Sequence, residues 1–164
     1  MNLQWTEAKR QRLSKPIKTA GGCECYFLHL TPTTGVKIFY SRENRDYAYA
    51  AQRKAARHGI GVPVGQRFVI RSLKIPTKIR DYWEASGYTD ELGYDQDSTI
   101  YYGYVTIVAK KVGRFNWDAH YKLIEALYII GLDGAEDLHE DNVGRYRGKL
   151  ICLDFGKIST PNSE

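Results

Sequence analysis

The sequence has few cysteines and no long hydrophobic run. Its 164 residues include three cysteines and one methionine, and no apolar stretch approaches the roughly 20 residues needed to cross a bilayer. A small, odd number of cysteines without a signal peptide is typical of a reducing compartment rather than of a disulfide scaffold. Cys23 and Cys25 are too close for the C-x-x-C spacing of zinc sites. We therefore expect a soluble, cytoplasmic protein that does not enter a membrane.

Acidic residues are nearly missing from the first eighteen positions, where Glu7 is the single acid. Five cations occur there, in a chain of formal net charge +5: Lys9, Arg10, Arg12, Lys15 and Lys18. We place a basic arm at residues 1–12. It is either a solvated positive terminus or a segment that binds nucleic acid or an acidic partner. No nucleic-acid motif follows it, so the solvated terminus is the simpler interpretation.

Glycine and proline divide the first two thirds of the chain into short strands and one helix. Five strands are predicted, the first a short one before Gly22 and the others at residues 25–30, 36–40, 64–73 and 99–108. A helix rich in Ala, Gln, Arg and Lys is predicted at residues 44–57, with Ser41 as its N-cap and Gly59 as its stop. Residues 75–98 are polar and broken by glycine and proline. We interpret them as an inserted loop with a short helix near residues 80–85.

The last third predicts one helix and a loop-rich hairpin. Apolar spacing indicates a helix at residues 117–130 and places Trp117 and Tyr121 in the core. A polar loop, a short hairpin and a strand at residues 150–153 follow. The order of elements predicts an α+β chain with two parts: a five-stranded lobe at residues 13–110 and a small helical lobe at residues 111–164.

Three short motifs bear polar groups that suit phosphate chemistry. Lys37 stands alone in an apolar strand, residues 137–142 read D-L-H-E-D-N, and residues 154–156 read D-F-G after an apolar strand. Each has an ordinary explanation: a lysine on a solvated strand face, a solvated turn and a chance tripeptide. Their joint order favours a common function. The D-L-x-x-x-N pattern, followed at a short distance by D-F-G, matches the catalytic and metal-binding loops of kinases.

On these motifs the chain resembles the protein-kinase-like superfamily. His139 makes the loop more similar to aminoglycoside phosphotransferases and atypical kinases than to ordinary Ser/Thr kinases. The helix and loop at residues 41–64 are similar to those of compact kinase-like proteins of bacteriophages. The resemblance covers residues 21–159 and implies a minimal bilobal fold. Its first lobe is a five-stranded antiparallel sheet with one helix, and its second is a truncated helical lobe.

The resemblance implies ATP as a cofactor, held mainly by the first lobe. Lys37 would bind the α- and β-phosphates. The backbone at Gly21 and Gly22, in the first strand turn, would approach the phosphates, although the full G-x-G-x-x-G pattern is missing. The strand from Tyr104 to residue 109 would meet the adenine.

The resemblance also implies Mg²⁺ and a catalytic base. Asn142 and Asp154 would hold Mg²⁺, which prefers oxygen ligands. Asp137 would orient the acceptor hydroxyl as the base. His139 would brace the catalytic loop by hydrogen bonds or contact a phosphate directly.

Two features depart from the kinase pattern. The helix at residues 47–58 contains no acid to pair with Lys37, which leaves Glu43, Asp46 or Gln52 as its candidate partners. Eight residues follow the D-F-G motif, so the activation segment and the helices that bind protein substrates are missing.

Three functions are therefore open. The first is an ATP- and Mg²⁺-dependent phosphotransferase acting on a partner protein or a small molecule. The second is a pseudokinase-like phage effector that binds and modulates a host protein, in the host cytoplasm. The third is nucleic-acid binding through the basic arm.

Overall fold

The computed structural model describes residues 1–21, 25–85, 100–132 and 138–155. The chain divides into two compact units, the first formed by residues 1–45 and 64–108 and the second by residues 46–63 and 109–164. The predicted boundary after residue 110 placed residues 46–63 in the first lobe, whereas they belong to the second unit. They cluster with the second unit because the Ile60 carbonyl accepts a hydrogen bond from the Cys152 N–H at 2.9 Å. No described helix is both long and apolar enough to span a membrane.

The first unit is built on one antiparallel sheet of five strands in the order β1-β2-β3-β5-β4. The strands are β1 Lys18–Gly21, β2 Cys25–His29, β3 Thr34–Phe39, β4 Val64–Arg71 and β5 Ile100–Ile107. The predicted α+β class with a five-stranded antiparallel sheet is confirmed. The central strand of the sheet is β3.

Four helices are described: α1 Glu7–Arg12, α2 Arg42–Arg57, α3 Thr77–Ala85 and α4 Trp117–Ile129. Their ends follow local signals. The Asn116 side chain accepts from the N–H of Ala119 at 3.2 Å and caps α4. Beyond α2, Gly59 has a φ of 73°, and the Ile60 N–H returns to the Ala55 carbonyl at 3.0 Å. That is the glycine stop predicted for this helix.

The two faces of the sheet differ in composition. Strand alternation places Leu28, Val36 and Val105 side by side on one face, where all three are buried. Leu13, just after α1, and Ile79 of α3 cover this face and complete the hydrophobic core. The other face bears the predicted phosphate-binding lysine.

Residues 2–6 pack along the outer edge of β4. The Leu3 carbonyl accepts a hydrogen bond from the Gln66 N–H at 2.9 Å. The Trp5 ring stacks on Phe68, with 3.8 Å between ring centroids. The start of the chain is therefore part of the first unit.

Lys9 secures this N-terminal segment from α1. Its side chain is only 8% exposed, and Nζ donates to the carbonyls of Asn2 and Gln4 at 3.1 and 2.8 Å. Burial lowers the pKa of the Lys9 ammonium. The region interpreted as a solvated arm is thus folded onto the sheet, because a lysine can bury its apolar stem when carbonyls receive its charged end.

The second unit contains a short hairpin of β6 Val143–Tyr146 and β7 Lys149–Cys152. Its turn is Arg147-Gly148, with φ values of 51° and 78°. Two successive left-handed residues form the tight turn that matches the twist of a hairpin. Single bridges flank the hairpin, from Lys110 to Arg145 and from Gly61 to Cys152, and α4 packs on β7.

The buried side of α4 differs from the prediction. Its buried residues are His120, Leu123 and Leu127, whereas Trp117 and Tyr121 are each 63% exposed. The expectation that these two aromatic residues lie in the core is wrong. Apolar residues occupy more than one stripe of α4, so their spacing alone does not identify the buried side.

Candidate functional site

Asn142 and Asp154 stand at the open end of the β6–β7 hairpin. Asn142 immediately precedes β6, and Asp154 follows the last residue of β7 by two positions. Pairing continues past the strands, since the Leu153 N–H donates to the Asn142 carbonyl at 2.8 Å. Asn142 is half-buried and Asp154 is exposed. The hairpin therefore holds the two predicted metal ligands on neighbouring chain segments.

His139 braces the loop that leads into β6. Its Nδ1 accepts from the Asp141 N–H at 3.3 Å and caps the 3₁₀ turn Glu140–Asn142. A neutral imidazole carries one ring proton, so Nε2 is the donor in this arrangement. Nδ2 of Asn142 lies 3.2 Å from Nε2, and because two donors cannot bond to each other we exchange the nitrogen and oxygen of that amide. His139 therefore makes hydrogen bonds within this loop, and its bracing of a catalytic loop stays a prediction.

Cys152, the last residue of β7, supports the backbone of Asp154 two positions further along the chain. Its thiol is part of a residue only 2% exposed, and Sγ donates to the Asp154 carbonyl at 3.0 Å. On the far side Phe155 is 7% exposed. The exposed carboxylate thus stands between two buried residues that fix its backbone. We did not predict a role for Cys152, because its chain position alone does not indicate a thiol–carbonyl contact.

Lys37 lies on β3 and is only 8% exposed. It faces away from the hydrophobic core, with Phe27 of β2 and Tyr104 of β5 as its register partners. The ordinary explanation, a lysine on a solvated strand face, is therefore excluded. A buried ammonium is costly unless other groups compensate its charge, and Lys37 does interact with other groups of the described chain.

Aromatic rings share the sheet face of Lys37. Tyr104 is fully buried and stacks on Phe39, with 5.8 Å between ring centroids. Gly35 leaves room for the ring of Phe27, since a Cβ there would lie 2.5 Å from Phe27 Cζ. These rings therefore pack on the same sheet face on which Lys37 lies.

The remaining predicted nucleotide residues lie at the first strand turn. Gly21 is the last residue of β1 and pairs with Tyr26, as expected for a strand that ends at a glycine. Gly22 and the predicted base Asp137 lie outside the described residues.

The candidate partners of Lys37 occupy different positions on α2. Glu43 is exposed in the first turn, and Asp46 is half-buried. Gln52 is fully buried, and its amide N–H donates to the Val62 carbonyl at 3.1 Å. Gln52 therefore fastens the segment after α2 within the second unit.

The donor set at the hairpin end consists of one carboxylate and one amide. Within the described residues, no group of three or more His, Cys, Asp and Glu side chains is arranged to hold a metal. Mg²⁺ commonly uses one or two protein oxygens and completes its shell with water and phosphate oxygens. An amide and a carboxylate are ligand types that such an ion accepts, and Asn142 and Asp154 stand on neighbouring chain segments. They do not form a closed site for a structural metal.

Comparisons with protein-family models, curated proteins and solved structures find no match for this chain.

Proposed function

We propose that this protein is an ATP- and Mg²⁺-dependent phosphotransferase with a minimal kinase-like fold, acting on a hydroxyl of a partner protein or a small molecule. The observation that supports it best is the pairing of Asn142 with the segment that leads into Asp154. In kinases the catalytic-loop asparagine and the D-F-G aspartate hold the metal ions. The same two residue types, in the same order, are joined here across a hairpin.

The first unit supports the proposal through the position of its lysine. The kinase lysine stands on the third strand, and the helix that follows contributes its partner. Lys37 likewise stands on the third of five antiparallel strands, and α2 follows directly.

Each residue then has one task. Lys37 binds the α- and β-phosphate oxygens, while Asn142 and Asp154 hold Mg²⁺, which neutralises phosphate charge when bound. Asp137 accepts the proton of the acceptor hydroxyl as that oxygen attacks the γ-phosphorus. The bond from the γ-phosphorus to ADP breaks, and ADP leaves with the bonding electrons. His139 keeps the Asn142 amide oxygen oriented throughout.

Nucleotide binding with and without Mg²⁺ tests the proposal. At ATP concentrations about 100 times the Kd, binding adds about 2.7 kcal/mol of stability, which raises the Tm by roughly 5–10 °C for a chain of this size. We expect this rise with Mg²⁺ and little without it. Asp154→Ala should abolish it. Glu140→Ala, which removes an exposed carboxylate of the same loop, should behave as wild type.

Transfer of radiolabelled phosphate from ATP to components of a lysate tests the catalytic half. Asp137→Ala should retain the Mg²⁺-dependent Tm rise and lose the transfer. Binding without transfer in the wild-type protein would favour the pseudokinase-like alternative. No ATP binding at millimolar nucleotide and Mg²⁺ would overturn the proposal altogether.

A further inference from the structure

We propose that β4 and the segment after it bind single-stranded nucleic acid through a row of cations. The row, here called the cationic track, consists of Arg67, Arg71, Lys74 and Lys78. From Val64 to Arg80 the sequence contains five Lys and Arg residues and no Asp or Glu. A stretch with one sign of charge and such regular spacing is unusual for a simple solvated edge, where the two signs normally mix.

All four side chains of the cationic track are exposed. Arg67 and Arg71 lie on the same face of β4, on either side of Val69, which is 54% exposed. At about 3.4 Å per residue, their backbone positions are about 14 Å apart. Lys74 ends the 3₁₀ turn after β4, and Lys78 lies in the first turn of α3. The positive charge therefore continues beyond the strand.

Two arginines of α2 add positive charge at the middle of the strand. The guanidinium carbons of Arg42 and Arg45 lie 5.4 and 5.7 Å from the centre of the Tyr102 ring. Tyr102 is the register partner of Val69. Arg45 is buried and donates to the Phe68 carbonyl at 3.4 Å, whereas Arg42 is exposed. Arg42 is therefore one more exposed cation, and it lies level with Val69, between Arg67 and Arg71 along the strand.

The acids of α2 reduce this charge without cancelling it. Glu43 and Asp46 are the only acidic residues of that helix. Arg42 and the cationic track together provide five exposed cations.

A row of cations favours an extended polyanion over a single phosphate group. Guanidiniums that recognise one phosphate converge on it, whereas these cations are spread along a strand and the turn after it. A nucleic-acid backbone offers phosphates at regular intervals and gains affinity from counterion release. Arginine planes and exposed apolar side chains such as Val69 can also contact the unstacked bases of a single strand.

The basic arm is less suited to this role, because several of its cations make contacts inside the protein. Lys9 is buried, Arg10 lies 3.5 Å from the Glu7 carboxylate, and Arg12 donates to the Leu30 carbonyl at 3.1 Å.

Fluorescence anisotropy tests the proposal with labelled oligo-dT and oligo-U of about 12 nucleotides and the full-length protein. Each phosphate contact to a single strand contributes about −0.7 to the slope of log K against log salt, so four contacts give about −3. R67Q/R71Q should halve this slope and weaken binding about tenfold. K74Q/K78Q should act in the same way, and it provides the test if the strand variant fails to fold. Circular dichroism melting establishes folding for both.

The control R10Q/K15Q removes the same charge from the first eighteen residues and should bind as wild type. Equal loss in this control would assign binding to that N-terminal region or to net charge and overturn the proposal. Unchanged affinity in both track variants would do the same. Binding of a phosphoserine peptide in preference to either oligonucleotide would point to a phosphoprotein partner instead and would equally contradict the assignment.

Discussion

Gly103 of β5 occupies a place where a methyl group has no room, and alanine there is expected to destabilise the first unit. It pairs with Ile38 on one side and Phe68 on the other. A Cβ at this position would stand 2.5 Å from Phe68 Cζ and 2.7 Å from the Lys37 carbonyl oxygen. The carbonyl belongs to the central strand and cannot move without its neighbours. Overpacking of this kind costs about 1–3 kcal/mol, so Gly103→Ala should lower the free energy of unfolding by about 2 kcal/mol.

Urea unfolding followed by tryptophan fluorescence measures this change where it arises, because Trp5 stacks on Phe68. With an m-value of about 2 kcal/mol per molar, the midpoint should fall by about 1 M at constant slope. Gly113→Ala is the matched control, since a Cβ at Gly113 meets no atom within 4 Å. Its free energy of unfolding should change by less than about 0.5 kcal/mol.

A midpoint for Gly103→Ala equal to that of the wild type would refute this account of the packing. Combining Gly103→Ala with Phe68→Leu distinguishes the clash with the Phe68 ring from the clash with the Lys37 carbonyl. If the ring is the main one, alanine at 103 costs less in the leucine background, and the two changes are not additive. If the Lys37 carbonyl dominates, the cost is the same in both backgrounds, and affinity for ATP should fall as well.

Three further predictions concern other contacts. Burial, with a smaller contribution from Lys18, lowers the pKa of His29, so the unfolded chain binds the proton first and stability falls as the pH drops through about 6.5. His29→Gln should flatten that fall in urea titrations between about pH 8 and pH 5, and an unchanged profile would contradict it. His139→Ala should cost about 1 kcal/mol and weaken Mg²⁺-dependent ATP binding in calorimetry, whereas His139→Asn, which keeps an acceptor for the cap, should recover most of both. Lys9→Met should cost about 1–3 kcal/mol and speed chymotrypsin cleavage after Trp5, and cleavage at the wild-type rate would count against the role of Lys9.

Much of the fold was predictable because its signals are local. The turn between β2 and β3, the Asn116 cap and the glycine stop after α2 each depend on a few neighbouring residues. Even the order of the five strands, with α2 between β3 and β4, follows from reading those signals along the chain. The boundaries of the strands differ from prediction by only a few residues.

The errors came from contacts between distant residues. Residues 46–63 belong to the second unit, where the Cys152 N–H donates a hydrogen bond to the Ile60 carbonyl. No local sequence pattern predicts this contact. Lys9 was interpreted as a surface charge of the basic arm. Composition does not reveal that the carbonyls of Asn2 and Gln4 accept hydrogen bonds from its ammonium. The buried side of α4 includes His120, a polar residue that a search for apolar spacing passes over.

The candidate site was predictable to a similar extent. A hairpin between two motifs necessarily brings its ends together, so the neighbourhood of Asn142 and Asp154 follows from the sequence. The burial of Lys37 does not, because it depends on the packing of three strands and their aromatic residues.

The segment at residues 2–6 also acts as a cover for a sheet edge. β4 is the last strand of the sheet, and its outer backbone groups are a template on which another chain could add a strand. The bond from Gln66 to Leu3 occupies part of that edge, and there is no room for a Cβ at Gly65 beside Leu3. Removing these residues would leave a bare β-edge, and the shortened protein should associate into aggregates before it loses its core.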